Sequence, residues 1–178
     1  MLLTISEIEK RLEEKFSLFD GEMDDLILKK RVKMSDDYKL IEREFNIKLD
    51  SEFVAFTSLF NLDCFSLGNI VFGSGDAYVN RLIRINKGND LEKWWSGRER
   101  PRFMIAVAIS DPYTILLDTR NGKVYAVTSE PGESDDMPVA LGFYYFIRGI
   151  GSVFLKSMPS SEVVNFVGAV NKEFWYVI

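Results

Sequence analysis

The chain has 178 residues, of which 47% are hydrophobic and 28% charged, and it contains no histidine. This composition excludes Ser-His-Asp triads, Cys-His dyads and metal sites that need an imidazole ligand. The net charge of −5 argues against attraction of the whole surface to nucleic acid or to anionic lipid, so we expect neither as a direct partner. The length supports one sizeable core, and we expect a single domain over residues 1–178.

The cysteine content and the N-terminus bear on the compartment. Cys64 is the single cysteine and lies in the apolar run 60–65, where we expect a buried thiol that packs as a small hydrophobe. Residues 1–4 are too short for the apolar region of a signal peptide. We therefore expect a soluble protein of the reducing cytoplasm.

The N-terminal residues predict an amphipathic helix over about 6–16. Ser6 and Glu9 have the spacing of a capping box. Its apolar stripe consists of Ile5, Ile8, Leu12 and Phe16. The segment 22–34 has neither a helical nor a strand period, and its structure stays open.

Two more helices are predicted before residue 61. Ser35 or Asp36 caps the first, and Asn46 is its C-terminal stop. Its apolar face consists of Tyr38, Ile41 and Phe45. Asp50 or Ser51 caps the second, whose buried stripe consists of Phe53, Phe56, Leu59 and Phe60.

Short apolar runs separated by glycine and polar residues then predict a sheet that begins at residues 64–72. A helix over 77–86 follows. Three segments rich in β-branched and aromatic residues come next and predict an antiparallel meander. These strands are 103–109, 113–118 and 123–128.

The C-terminal part contains one open assignment. Residues 141–156 are rich in aromatic residues and fit either a buried helix or a final strand. Ser160 or Ser161 is expected to cap a last helix over about 161–174. Its apolar residues are Val163, Val164, Phe166, Val167 and Val170.

The glycines near residue 74 and four aspartates offer the candidates for chemistry. The run 72–76 lacks the third glycine of a dinucleotide fingerprint and the ending of a P-loop, so it predicts a strand-to-helix turn with Asp76 as a helix cap. A carboxylate pair or a magnesium site needs no histidine, but no spacing selects two of the acids. These aspartates are Asp63, Asp76, Asp111 and Asp118. Each lies beside a turn signal, so we expect no cofactor and no metal, and rank a carboxylate-dependent enzyme third among the functions.

Two segments are candidate surfaces for binding a partner. Trp94 and Trp95 lie among four basic residues, a composition that fits base stacking and phosphate binding and equally a loop edge. The run 130–138 has four acids and no base, which fits a solvated loop or recognition of a cationic partner. Its acids are Glu130, Glu133, Asp135 and Asp136. With Tyr113 as a further aromatic anchor, these residues are the predicted partner-binding set.

Three segments resemble the SUKH superfamily, which includes bacterial immunity proteins and fungal regulators of cell-wall assembly and glucan synthesis. Residues 38–53 resemble its opening helices, 101–108 its strand entering the sheet, and 115–125 its Leu-Asp to Gly-x-Val-Tyr hairpin. The resemblance implies an α+β fold with an antiparallel or mixed sheet flanked by helices, and a SUKH-like core over 35–155. It implies no catalytic residues.

The resemblance also implies the expected function. Bacterial members often neutralise a nuclease or deaminase toxin by direct binding, so we expect a non-enzymatic immunity protein whose partner is a cognate toxin. The alternative is a regulatory scaffold of the cell-wall assembly type without a toxin partner.

Overall fold

The computed structural model describes residues 1–88, 100–128 and 136–178, and these form the predicted α+β fold. The helices are α1 (Ile5–Phe16), α2 (Tyr38–Phe45), α3 (Ser51–Leu59), α4 (Tyr78–Lys87), α5 (Phe143–Lys156), α6 (Ser160–Val167) and α7 (Glu173–Val177). The strands are β1 (Lys29–Lys30), β2 (Phe60–Asn61), β3 (Ser66–Leu67), β4 (Ile70–Val71), β5 (Met104–Ser110), β6 (Tyr113–Asp118) and β7 (Val124–Val127).

The main sheet has the order β3-β4-β5-β6-β7, and every neighbouring pair is antiparallel. The predicted meander is therefore confirmed as β5, β6 and β7. Alternate residues point to opposite faces, so Ile105 and Leu117 enter the main core while Met104 and Leu116 form a smaller cluster on the other face. The sheet is thus covered on one face by the main body of helices.

Helix α4 closes an edge that the short strand β4 leaves open. Strand β4 pairs with β5 at Val71 and Ile109. Nearer the N-terminal end of β5, the Asn86 carboxamide accepts from the Ala106 N–H at 2.8 Å and donates to the Ala106 carbonyl at 2.8 Å. The Tyr78 hydroxyl donates to the Val107 carbonyl at 2.8 Å. Side chains of α4 therefore satisfy backbone groups that a neighbouring strand would otherwise satisfy.

Helix α1 forms where its stripe predicts, with a different cap. Thr4 is the N-cap and forms the capping box with Glu7, so the box expected at Ser6 and Glu9 is wrong. The cap moves by two residues because Leu3 is buried and donates its N–H to the Ser152 hydroxyl of α5 at 2.8 Å. That bond fixes where the chain enters the helix.

Helices α2 and α3 agree with the predicted spans, with two corrections. The expected cap at Ser35 or Asp36 is wrong, because Asp37 occupies the N-cap position and no side chain caps α2. Asn46 ends α2 in the left-handed conformation and Asp50 caps α3, both as predicted. Leu59 is 38% exposed and does not extend the buried stripe.

The undecided segment 22–34 forms a 3₁₀ turn, Asp24–Leu26, and then strand β1, which pairs with β2. Cys64 lies close by and is exposed, so the expectation of a buried thiol is wrong. Its neighbours Leu62 and Phe65 fill the core instead.

The segment 141–156, for which the sequence fits either a helix or a strand, is a helix from residue 143 onward. Residues 143–156 form α5, and the Glu52 carboxylate accepts from the Tyr144 N–H at 3.1 Å at the start of this helix. The single helix expected over 161–174 is wrong. Gly168, at φ +67°, ends α6, and the Ala169 N–H donates back to the Val164 carbonyl, so the chain turns before α7.

Candidate partner-binding surface

Most of the predicted partner-binding set lies outside the described residues. Trp94, Trp95, Glu130, Glu133 and Asp135 all belong to the segments 89–99 and 129–135. Two members are described. Asp136 is exposed at the start of the final described segment, and Tyr113 is half-buried at the start of β6.

Tyr113 packs against the C-terminal aromatic residues. Its ring meets the ring of Phe174 edge to face, with centroids 5.3 Å apart. Phe174 in turn packs on Trp175 in α7. Only part of the Tyr113 ring therefore faces solvent, and the other part contributes to the core.

The segment that follows Asp136 is fixed to the body of the protein from two sides. On the side of the sheet, the Val139 N–H donates to the Val124 carbonyl at 2.8 Å, and the Val124 N–H donates to the Ala140 carbonyl at 3.0 Å. On the side of the helices, the Trp175 indole donates to the Val139 carbonyl at 2.8 Å. This segment, residues 137–141, therefore forms a short bridge between β7 and α7, and we call it the bridge.

Further hydrogen bonds connect the bridge with the last residue of α6 and with the turn after it. The Val170 N–H donates to the Pro138 carbonyl at 2.9 Å, and the Leu141 N–H donates to the Val167 carbonyl at 3.0 Å. Pro138 is buried while Asp136 and Met137 are exposed. The acidic run thus ends at a fixed point on the surface.

Asp118 has the structural role that the sequence predicts. Its backbone carbonyl accepts from the Gly122 N–H at 2.8 Å, and Gly122 has φ +73°, so both residues form the β6–β7 turn. The Asp118 side chain is 2% exposed and binds Arg120 through two side-chain hydrogen bonds and a backbone N–H. Burial acts to raise the pKa of Asp118, but the hydrogen bonds and charge of Arg120, with Asn121, outweigh it and hold that pKa below its usual range.

The other candidate acids each have a local environment of their own. Asp63 accepts the Tyr78 N–H at 2.8 Å, so Asp63 caps α4 and the expectation that Asp76 does so is wrong. Asp76 instead forms an exposed ion pair with Arg84 at 2.8 Å. Asp111 belongs to a turn with a cis peptide bond to Pro112. Among the described residues, no three acids or cysteines are grouped so that they could hold a metal ion.

The glycine-rich run 72–76 forms the predicted turn between β4 and α4. A β-carbon at Gly73 would lie 2.0 Å from the Leu62 carbonyl oxygen, so only glycine fits this close approach. Gly75 has φ +110° and donates its N–H to the Asp63 carbonyl at 2.9 Å. The same loop that carries Asp63 is therefore packed against these glycines.

Sequence reasoning missed the exposed apolar residues around the bridge. The predicted last helix carries Phe166 and Val170 among its apolar residues, and the structure leaves them 46% and 55% exposed. The available signal was Gly168, because a glycine between them permits the left-handed turn that takes Val170 out of the helix.

Comparison with known proteins adds no assignment. No protein-family model matches this chain, and no curated protein is significantly similar to it. In the ranges 1–88, 100–128 and 136–178, no helix has the length and apolar character needed to span a membrane.

Proposed function

We propose that this protein is a non-enzymatic binding protein that neutralises a cognate bacterial toxin of the nuclease or deaminase type by direct contact. The resemblance of residues 38–53, 101–108 and 115–125 to the SUKH superfamily suggests this class of function. The clustered carboxylates of residues 130–136 support it independently.

The observation that carries the proposal is the fixed end of the acidic run. Asp136 is exposed and is followed at once by the bridge, which is hydrogen-bonded to β7 and α7. Residues 130–136 contain four carboxylates and no basic residue, and the last of these acids, Asp136, directly precedes the bridge. A cationic cleft that binds nucleic acid would be attracted to such a charge.

The proposal assigns different kinetic roles to the acids and the aromatic residues. Rim carboxylates mainly raise the association rate through long-range attraction, whereas desolvated aromatic anchors mainly slow dissociation. We assign the first role to Glu130, Glu133, Asp135 and Asp136. We assign the second to Trp94, Trp95 and the exposed part of Tyr113.

The test begins with a pull-down from native lysate, followed by identification and purification of the captured toxin. Surface plasmon resonance then compares the wild type with a variant in which the four acids of the run are replaced by Gln or Asn. We expect slower association and a weaker dependence of the association rate on salt. Truncation of an anchoring tryptophan to Ala should instead raise the dissociation rate. At a true hot spot the loss of binding free energy is about 2 kcal/mol.

A matched control removes the same number of charges elsewhere. Glu13, Asp20, Glu22 and Asp25 are exposed residues near the end of α1 and in the following turn. Neutralising all four changes the net charge equally, so an equal loss of association rate would show that only net charge matters. That outcome, or the absence of any captured toxin, contradicts the proposal.

A further inference from the structure

Four exposed apolar side chains lie around the bridge, and they define what we name the C-terminal apolar patch. They are Met137, Leu141, Phe166 and Val170, with exposed fractions of 42%, 49%, 46% and 55%. Isolated exposed apolar residues are ordinary, whereas a group of them indicates an interaction surface.

Backbone hydrogen bonds bring these residues together from separate parts of the sequence. The Leu141 N–H donates to the carbonyl of Val167, the residue next to Phe166. The Val170 N–H donates to the carbonyl of Pro138, the residue next to Met137. The four residues thus lie on two adjacent segments, the bridge and the C-terminal end of α6 with the turn after it.

Leu141 is held in place although nearly half of it is exposed. Its side chain lies over the α-carbon of Gly168, where an added β-carbon would come within 2.4 Å of Leu141 Cδ1. An anchor that is already ordered loses little conformational freedom when a partner covers it. Leu141 is therefore held in position before a partner arrives.

Exposed acidic side chains adjoin two members of the patch. Asp136 directly precedes Met137, and exposed Glu162 lies one helical turn before Phe166 on α6. Within residues 159–178 the basic residue is Lys172, which adjoins Glu173. An occupant that matches this surface carries apolar side chains at its centre and basic side chains at its edge.

We infer that the C-terminal apolar patch docks a basic amphipathic segment of a protein partner, with Leu141 and Phe166 as the apolar contacts. The inference rests on the proposed function, because it specifies the centre of a contact whose rim includes Asp136. It adds the chemistry of the occupant, which is apolar at its centre and basic at its edge.

The experiment uses a defined probe in place of the toxin. A synthetic amphipathic helical peptide of leucine and lysine is titrated into the ¹⁵N-labelled full chain, and a peptide with glutamate at every lysine position is the probe control. We expect the largest amide shifts at residues 136–141 and 166–170 with the basic peptide only. Shifts centred elsewhere, or equal binding of the acidic peptide, would overturn the inference.

Matched variants distinguish peptide binding at this patch from non-specific binding to other exposed apolar residues. Leu141→Ser with Phe166→Ser should weaken binding of the basic peptide by about tenfold or more, as expected for loss of an apolar contact worth over 1.4 kcal/mol. Val32→Ser with Met34→Ser removes side chains that are more exposed, at 101% and 75%, and should change binding less than about twofold. Circular dichroism verifies that both are folded, and Met137→Ser with Val170→Ser replaces the first pair if it is not. Equal effects of the two kinds of variant contradict the inference.

The outcomes also distinguish this inference from the proposed function. If the basic peptide binds at the patch but no toxin is captured, the inference stands and the toxin proposal fails. If a toxin is captured and the peptide shifts lie elsewhere, the toxin proposal stands and the patch is not the docking surface.

Discussion

The carboxylate of Asp50, which caps α3, lies directly against the α-carbon of Gly122 at the tip of the β6–β7 hairpin. A β-carbon at position 122 would come within 2.9 Å of Asp50 Cγ, and Gly122 has φ +73°. The hairpin tip and the helix N-terminus therefore approach as closely as they do because position 122 has no side chain. Two separate physical effects, backbone conformation and steric contact, select glycine there.

Gly122→Val should lower the free energy of unfolding by more than about 1 kcal/mol, because valine resists positive φ and collides with Asp50. Urea denaturation measures this change. Gly21→Val is the matched control, since Gly21 has φ +90° and no atom within 4 Å of an added β-carbon. The loss at Gly122 should exceed the loss at Gly21, and equal losses would show that contact with Asp50 contributes nothing.

Asn86→Ala should destabilise the fold by about 2 kcal/mol or more. The substitution leaves the buried Ala106 N–H and carbonyl without their hydrogen-bond partner, and unsatisfied buried groups are costly. Asn165→Ala is the control, because the side-chain amides of Asn165 and Asn86 each donate to the carbonyl four residues earlier, but Asn165 is exposed on α6. A similar small effect at both positions would contradict the proposed closure of the β5 edge by α4.

Asp63→Ala and Asp76→Ala separate the observed cap of α4 from the one that the sequence suggests. Loss of the Asp63 hydrogen bond to the Tyr78 N–H should cost about 1 kcal/mol of stability. Loss of the exposed Asp76 ion pair with Arg84 should cost no more than about 0.5 kcal/mol. Thermal or urea denaturation of the two variants decides the order, and a larger effect at Asp76 would reverse the assignment.

Stability should depend on pH through Asp118. Because its pKa in the folded state is lowered from the unfolded value of 3.8, its ionised form stabilises the fold above that value and the contribution is lost as the pH falls through the folded pKa. The difference in unfolding free energy between the wild type and Asp118→Asn should therefore be steady from pH 7 to about pH 5 and shrink below pH 3.8.

Arg120 provides the check on the cause of this pH dependence. It supplies the side-chain hydrogen bonds that hold the Asp118 carboxylate ionised. Arg120→Gln should therefore reduce the pH-dependent part of the stability below pH 5, measured by urea denaturation at several pH values. An unchanged profile would mean that Arg120 is not what lowers the pKa of Asp118.

Local periodicity determined much of this fold. Ile8, Leu12 and Phe16 recur at helical spacing and form the buried face of α1. The strands β5 to β7 are short, rich in β-branched and aromatic residues and joined by turn residues such as Asn121 and Gly122, so they pair as an antiparallel meander. These features depend on residues a few positions apart, which is the range over which sequence patterns act.

Contacts between distant residues decided the rest. Asp63 rather than Asp76 caps α4, because the loop carrying Asp63 packs against Gly73 and Gly75 and brings its carboxylate to the Tyr78 N–H from 15 residues away. Asn86 completes the β5 edge because β4 is too short to do so.

One part of the candidate surface can be predicted from the sequence, and another part is seen only in the tertiary structure. The acidic run is visible in the sequence as a cluster of carboxylates. The apolar patch is not, because the sequence predicts one last helix that carries Phe166 and Val170 among its apolar residues and says nothing about the hydrogen bonds that join Leu141 to Val167 and Val170 to Pro138. Sequence pattern reports which residues are apolar, whereas burial is settled by whether another part of the chain covers them, and only the tertiary structure contains that information.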